Sequence, residues 1–529
     1  MKHTVDRLRQ IGQEYSHFSD VLALAALAGI LRLWGIGFDL PNLYHRDEAK
    51  YVTIPLKILK SGDYNPHFFN YPTFFFYLLS LGYIVYFLFM ASRGQLSSLD
   101  GLVLPEQVLP NVAGRATMPS QFLVGRGVVA LSGVLTVLLI YWVARKAYGR
   151  RAGLLAALLF SFSPVHIRNS HFIAPDVTMI LVIVASFAFS HEVWLVGRRR
   201  DYALAGLLAG LATSTKYNAY PVLIPLFVAH FLRRDGKDVI NTDILLAALL
   251  CAAGFFLGTP YALLDLPAFL NGLAFEMRHY ATLGDPGIEG QNALLWYGGY
   301  LLRNEGLIPL LAVIEAVRGL LARSQRTLFF ISFPAVYLLL VSFSVVKNDR
   351  TVLSIIPFLA IFAGVLLDRA IGFLLTRMSK TGVPSALTRL SGAVAFLLVV
   401  SWPALQAMRI NMRFMGEDVR TQVTQWMEAE LQPGSRIVGE YYSPLLQHSA
   451  HDFRWVDRAI DQPIAWYEAN ADYLVVVENR YGGFYLDPSR YGAEVAAYEA
   501  MFRQFGLVKE FQGGALGNPC HARVYMVRP

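Results

Sequence analysis

Residues 72–91, "PTFFFYLLSLGYIVYFLFMA", are apolar enough to cross a membrane, and whether they do fixes the side on which every later segment falls. The chain around them has 529 residues, of which 55% are hydrophobic and 16% charged. Soluble domains carry about a quarter charged residues. Apolar runs near the roughly 20 residues needed to span a bilayer recur over the first four hundred positions. The composition is therefore that of a polytopic integral membrane protein. No cleavable signal peptide is read, because the N-terminus is polar and no small-residue cleavage site follows the first apolar run.

The side of 72–91 is read from the basic residues. Spans are expected near 19–38, 121–144, 152–172, 176–196, 202–215, 218–232, 242–263, 296–317, 327–346, 351–371 and 388–406, about eleven in all. Between them lie "RKAYGRR" (145–151), "GRRRD" (197–201), "RRDGK" (233–237), "ARSQR" (322–326) and the looser set Arg369, Arg377 and Lys380. These clusters fall together on the cytoplasmic side, as basic residues do in membrane proteins, only if 72–91 does not cross. It is read as an aromatic helix at the outer leaflet; the alternative parity has it crossing and one segment near 202–232 not crossing. The net charge of +8 is thus topological, and it does not form the single patch that nucleic acid requires. Cys251 and Cys520 lie in different regions, which argues against a disulfide or a cysteine-rich metal site.

This parity predicts a transmembrane domain over 1–408 with a long first outer loop, about 39–120, and an extracytoplasmic domain over 409–529. The loop holds "YHRDEAKYV" (44–52), an amphipathic helix in "AKYVTIPLKILKSG" (49–62) and the turn-rich "GDYNPHFFNYPT" (62–73). After Ala407 the pattern becomes that of a small α/β unit. "RTQVTQWMEAELQPG" and "AEVAAYEAMFRQFG" read as helices; "RIVGEYY", "DYLVVVEN", "LVKEFQGG" and "ARVYMVRP" read as strands. The fold class expected is mainly α: a polytopic helix bundle with juxtamembrane helices in its first outer loop, plus a small C-terminal α/β domain.

Ionisable residues then gather at the outer mouth of the bundle. Asp47 and Glu48 follow the first span, Asp176 opens another, Lys216 interrupts "GLATSTKYNAYP", and Lys347, Asp349 and Arg350 stand in "KNDRTVLSIIP". Charge at membrane depth is costly and marks function. Carboxylates beside cations suit a lipid-borne phosphate as leaving group and a base for an attacking hydroxyl. No phosphate-binding loop, dinucleotide fingerprint or zinc-protease motif is present; "HEVW" (191–194) lacks the second histidine. The bland readings are an acidic first helical turn for Asp47 and Glu48, a cap for Asp176, and snorkelling for Lys50 and Arg32. Arg32, inside the first span, reads either as snorkelling outward or as reaching a donor phosphate. His45, His67 and His171 read as structural.

The acidic pair opening the first outer loop resembles the C-type membrane glycosyltransferase superfamily, and within it the protein O-mannosyltransferases and lipid A aminoarabinose transferases. "GDYNPHFFNYPT", residues 126–164, "HIRNSHFIAPDVTMILV" (166–182) and "KNDRTVLSIIPFLAIFAG" (347–364) carry the same resemblance. It implies transfer of a sugar from a polyprenyl-phosphate donor to a lipid, glycan or protein acceptor at the outer face. Asp47 would be the catalytic carboxylate, with Glu48 and Asp176 as the further acidic positions and Lys50 near the donor phosphate. Lys216, Lys347 and Arg350 are added as donor-phosphate residues because they lie on the outer side against the positive-inside bias, the other reading of them being topological charge. Tyr71-Pro72-Thr73 departs from the usual double proline, and Thr351 stands where tyrosine is usual. No cofactor or metal site is assigned; two outward carboxylates could bind a divalent cation, and relatives differ on this. The compact loops point to a bacterial inner membrane, with an archaeal membrane as the alternative; membrane lipids are expected as partners and nucleic acid is not. The competing functions are a transporter or flippase of lipid-linked sugars and a non-catalytic scaffold.

Overall fold

A computed structural model describes residues 2–109, 112–282, 284, 286–288, 290–381, 384–444, 449–513 and 521–528. Cys520 lies outside the described residues, and Cys251 is free. The chain opens with α1 (Lys2–Leu33), α2 (Arg46–Ser61) and α3 (Phe74–Ser92), then the short hairpin β1 (Glu106–Leu109) and β2 (Val112–Arg115). The bundle continues with α4 (Pro119–Tyr148), α5 (Arg150–Ser161), α6 (Pro164–Asn169), α7 (Pro175–Leu195), α8 (Arg199–Thr215), α9 (Leu223–Arg233) and α10 (Thr242–Gly258). After α11 (Tyr261–Leu264) and α12 (Leu266–Thr282) come α13 (Ala293–Glu305), α14 (Ile308–Leu321), α15 (Gln325–Val341), α16 (Asp349–Val352), α17 (Ile356–Lys380) and α18 (Ser385–Met415).

Among the described residues, five helical segments are by themselves long and apolar enough to cross a membrane: Phe74–Ser92, Pro119–Tyr148, Pro175–Leu195, Asp349–Lys380 and Ala386–Glu430. The remaining apolar length is divided among shorter helices such as α10 and α15, so helix length alone does not return eleven spans. In lipid, apolar burial gives helices little reason to associate, and close packing must supply it. Helices α8 and α10 meet through small residues: a Cβ on Gly206 would stand 2.1 Å from the Ala247 carbonyl oxygen, and one on Gly210 2.0 Å from that of Cys251.

Helix α3 touches one end of the bundle at two points along its length. At its start Thr73 Oγ1 donates to the Gly258 carbonyl at 2.7 Å, while Tyr86 lies 2.7 Å from Ser120 at the start of α4. The connection that follows stays there, with Lys60 donating to Leu102 O at 3.0 Å and Leu43 N–H to Gly114 O at 3.1 Å. Thus α2, α3 and the hairpin form a cap over the bundle. At the opposite end the basic clusters meet acids: Arg150 holds Asp20 through two 2.7 Å bonds, Lys146 pairs with Glu192, Arg151 with Asp368 and Arg318 with Glu315.

Helix α18 runs through residue 408 to Met415, and the α/β unit begins beyond it with α19 (Val419–Glu430). There follow β3 (Arg436–Glu440), β4 (Asp452–Val456), α20 (Ile464–Asn470), β5 (Tyr473–Val477), α21 (Glu478–Tyr485), α22 (Gly492–Gln504), β6 (Gly506–Gln512) and β7 (His521–Met526). The sheet order is β4-β3-β5-β7-β6; β3 runs parallel to β4 and β5, and β7 antiparallel to β5 and β6. Side chains alternate between faces along a strand. Val438, Leu474, Val476 and Tyr525 accordingly pack with Tyr498 and Met501 of α22, and Ile437, Val475 and Val524 with Val423 and Met427 of α19. The sheet is a middle layer with helices on both faces. The segment "DYLVVVEN", expected to be all strand, turns into α21 at Glu478.

Candidate active site

Helix α2 starts at the mouth of the bundle and stops at Gly62, whose φ of 69° is a left-handed conformation, with its N–H donating to Ile58 O. Asp47 and Glu48 are both in its first turn. Consecutive helical residues point about 100° apart, so the two carboxylates face different surroundings. Glu48 points inward. It accepts from Arg126 Nε at 2.9 Å and Nη2 at 2.7 Å, and from the Ile173 N–H at 3.0 Å. Arg126 spends its remaining nitrogen on the carbonyls of Ile36 and Phe38, at 2.8 and 2.9 Å, just past the end of α1. The pair therefore locks α2, α4, the end of α1 and the loop before α7 together.

Asp47 points outward, with 38% of its side chain exposed. Its contacts are long: Arg350 Nη1 at 3.5 Å and Lys50 Nζ at 3.9 Å. Burial pushes the Asp47 carboxyl up, but positive charge at His45, Arg350 and Lys50 outweighs it and holds the group below the ordinary carboxylate range. Burial lowers His45 itself, so at neutral pH the field on Asp47 comes mainly from Arg350 and Lys50. The result is an ionised carboxylate with open lone pairs, which is what an acceptor for a proton needs.

Two further charges stand behind this edge. Asp176 follows Pro175 in the first turn of α7 and is buried. Lys216 lies just past the end of α8 in extended backbone and donates to Asp176 Oδ1 at 2.7 Å. Asp176 Oδ2 has no hydrogen-bond partner among the described residues. The Lys216 ammonium stands 5.8 Å from the centroid of the Tyr71 ring. Arg350, in α16, stands 3.5 Å from Asp47 and within electrostatic reach of Asp176 as well. Asp47, Lys50, Asp176, Lys216 and Arg350 thus converge.

Lys347 and Asp349 are engaged differently. Lys347 is buried and donates to the Val345 carbonyl at 3.3 Å. Asp349 pairs with Arg168 at 3.3 Å and accepts from Asn169. The two departures from the family pattern have structural uses. Thr73 ties the start of α3 to Gly258 and Thr259, and Thr351 bonds Asn348 Oδ1 through its N–H and hydroxyl, both at 3.0 Å.

Arg32 neither snorkels outward nor joins the charges around Asp47. It is fully buried between the Ser161 carbonyl, at 3.4 Å, and His166 Nδ1, at 3.1 Å, because Gly133 leaves room for it against α4. His45 stacks on Phe172, and His171 lies between the Ile167 and Trp34 carbonyls. Among the described residues no three His, Cys, Asp or Glu side chains converge as a metal site requires. Glu276 of α12 was passed over in the sequence. Burial raises its carboxyl, while Lys216, His279 and Lys50 act on it in the opposite sense, which places α12 over the same charges. Only its tertiary position marks it; "FEMRHYAT" reads as an ordinary amphipathic turn.

Along α2 from this edge runs a cavity of about 840 Å³ lined by Lys50, Thr53, Lys57, Asn65 and Phe68. Asp63, on its wall, is already bonded to His67 Nε2 at 2.8 Å.

Residues 118–259, about a quarter of the chain, match the family model of dolichyl-phosphate-mannose-protein mannosyltransferases. The structure is similar over 96% of its length to ArnT from Cupriavidus metallidurans bound to undecaprenyl phosphate, covering 98% of that chain at 19% identity and a TM-score of 0.50. It is similar over 98% of its length to the oligosaccharyltransferase AglB from Archaeoglobus fulgidus in complex with an inhibitory peptide and a dolichol-phosphate. That match covers 74% of AglB at 14% identity and a TM-score of 0.54. No curated protein sequence matches the chain. The fold is that of ArnT and AglB, a helical membrane bundle with a C-terminal sheet region.

Proposed function

We propose that the protein transfers a sugar from a polyprenyl-phosphate donor to a lipid, glycan or protein acceptor at the outer face of a bacterial inner membrane, with its C-terminal unit extracytoplasmic. The observation that carries this reading is the setting of Asp47: a half-exposed carboxylate 3.5 Å from Arg350 and 3.9 Å from Lys50, beside the buried Lys216–Asp176 pair. The donor class is supported by the two fold relatives whose structures hold undecaprenyl phosphate and dolichol-phosphate.

In this mechanism Asp47 takes the proton of the acceptor hydroxyl as its oxygen attacks the anomeric carbon. The bond between that carbon and the phosphate oxygen breaks, its electron pair leaves with the phosphate, and polyprenyl phosphate is released. One displacement from the opposite face inverts the anomeric centre. Arg350, Lys216 and Lys50 stabilise the charge that grows on the phosphate, where fixed cations act most strongly. Asp176 holds Lys216 in place, and Glu48, through Arg126, fixes the helix that presents Asp47. Lys347, bonded to the Val345 carbonyl, acts by shaping the loop that carries Arg350. The acceptor approaches along the cavity beside α2, which Lys50 lines.

The test is turnover of a panel of radiolabelled polyprenyl-phosphate sugars by purified protein, with a membrane extract as acceptor and Asp47→Asn alongside. Label transfer and release of polyprenyl phosphate by the wild type alone supports the reading. A folded protein that binds these lipids and consumes none of them supports relocation of lipid-linked sugars instead.

A further inference from the structure

The segment that joins α1 to α2 is tied to the C-terminal unit, and the tie lies three residues from Asp47. Tyr44 Oη and Thr421 Oγ1 are 2.8 Å apart, and Asn42 Nδ2 donates to the same threonine oxygen at 3.3 Å. The Arg420 guanidinium stands 4.0 Å from the centroid of the Tyr44 ring, near enough for a desolvated cation–π contact. Arg420 is itself held, donating to both carboxylate oxygens of Asp418 at 2.7 and 2.9 Å. Asp418 also accepts the Arg420 N–H at 2.9 Å and so caps α19. Tyr44 and Arg420 are 8% and 7% exposed, so the contact is a packed one.

On either side of Asp47 the chain is anchored by other means. His45 stacks on Phe172 with ring centroids 4.4 Å apart, and Glu48 is fixed by Arg126. Among the described residues the Asp47 carboxylate has two long polar contacts, so its direction is set by the backbone before and after it. We infer that Arg420 and Thr421 are positioning residues: by holding Tyr44, the start of α19 aims the Asp47 carboxylate, and transfer requires the C-terminal unit to be docked. This rests on the reading of Asp47 as the base. A small misplacement of a reacting group costs up to about a hundredfold in rate.

The experiment uses the full chain in detergent with undecaprenyl-phosphate mannose as donor probe and a membrane extract as acceptor, following release of undecaprenyl phosphate. The variants are Tyr44→Phe, Thr421→Val, their double, Arg420→Ala and Arg420→Lys. Each single change is expected to lower kcat about tenfold or more while the donor KM stays within about twofold. The double should be no worse than the poorer single, because both remove one contact. Arg420→Lys, which keeps a cation at the ring, should retain more activity than Arg420→Ala. Amide exchange, read by mass spectrometry, should quicken in peptides spanning 44–52 and stay as in the wild type across α4.

Wild-type kcat in both Tyr44→Phe and Thr421→Val would overturn the inference, as would faster exchange throughout α4. The exchange arm needs no donor and decides if this sugar is not turned over. Asp47→Asn in the same series separates the two claims. An inactive Asp47→Asn with fully active Tyr44→Phe and Thr421→Val removes the clamp alone. An active Asp47→Asn removes the base and the clamp together.

Discussion

Glu48 receives two hydrogen bonds from Arg126, 2.9 and 2.7 Å long, across 78 residues of sequence, and both side chains are buried. Removing one partner of a buried ion pair strands the other charge, at about 3–5 kcal/mol. Arg126→Met and Glu48→Gln should each lower the thermal unfolding midpoint in detergent by several degrees. The double change Glu48→Leu/Arg126→Met should recover part of the loss. A single variant as stable as the wild type would show that the pair does not hold α2 to α4.

Asp47→Asn should lose about 10²–10⁴ in rate with an unchanged unfolding midpoint. The pH dependence follows from the sign of its shift. Its folded pKa is depressed, so the carboxylate stays ionised, and transfer should persist, as pH falls from 7 to 5; activity is lost only below about 3.9. Arg350→Gln removes a charge that holds the group down, so the acid limb of its profile should move upward. A limb that stays in place would separate Arg350 from the base.

Lys216 and Asp176 are buried partners at 2.7 Å, and this carboxylate keeps Lys216 charged and aimed. Losing a charge-assisted hydrogen bond to phosphate costs about 1.5–3 kcal/mol, which is about ten- to hundredfold in donor affinity. Lys216→Met and Arg350→Gln should therefore weaken binding of undecaprenyl phosphate by that factor, measured as protection from thermal unfolding by the lipid. Asp176→Asn should weaken it as well, without touching the lipid, and should lower stability besides.

How far the sequence discloses this site depends on which link is local. The charge cluster at 44–52 is legible, because an acidic pair after an apolar run has few uses. Which acid faces outward is not, since that depends on Arg126 standing against α2, and the partner is 78 residues away. Parity of the basic clusters is the sequence's argument for keeping 72–91 at the outer side; in the structure Thr73 meets the end of α10 and Tyr86 the start of α4, while α3 has by itself the length and apolarity of a span. Helix α21 escapes notice because "ENRYGGFY" contains two glycines, poor helix formers that tertiary packing of Tyr481 and Phe484 overrides. Glu276 escapes because nothing in α12 itself says what it covers.

The junction between the outer loop and the C-terminal unit has its own titration. Asp39, in a left-handed turn with φ 60°, lines a cavity of about 470 Å³ with Asn42, Glu417 and Asp418. Burial, then the charge of Asp418, pushes its carboxyl up to about 7, against the pull of Arg420 and Arg126, while Glu48 adds to the rise. An acid whose folded pKa lies above its unfolded value of about 3.9 is bound to more protons when folded. Its contribution is therefore present in full at low pH and is lost as pH rises from about 3.9 to about 7. Asp39→Asn carries no ionisable proton and should be insensitive to that window. The unfolding midpoint of the variant should exceed that of the wild type at pH 8 and approach it at pH 5. Equal midpoints at both values would mean that Asp39 ionises in the folded protein as it does in water.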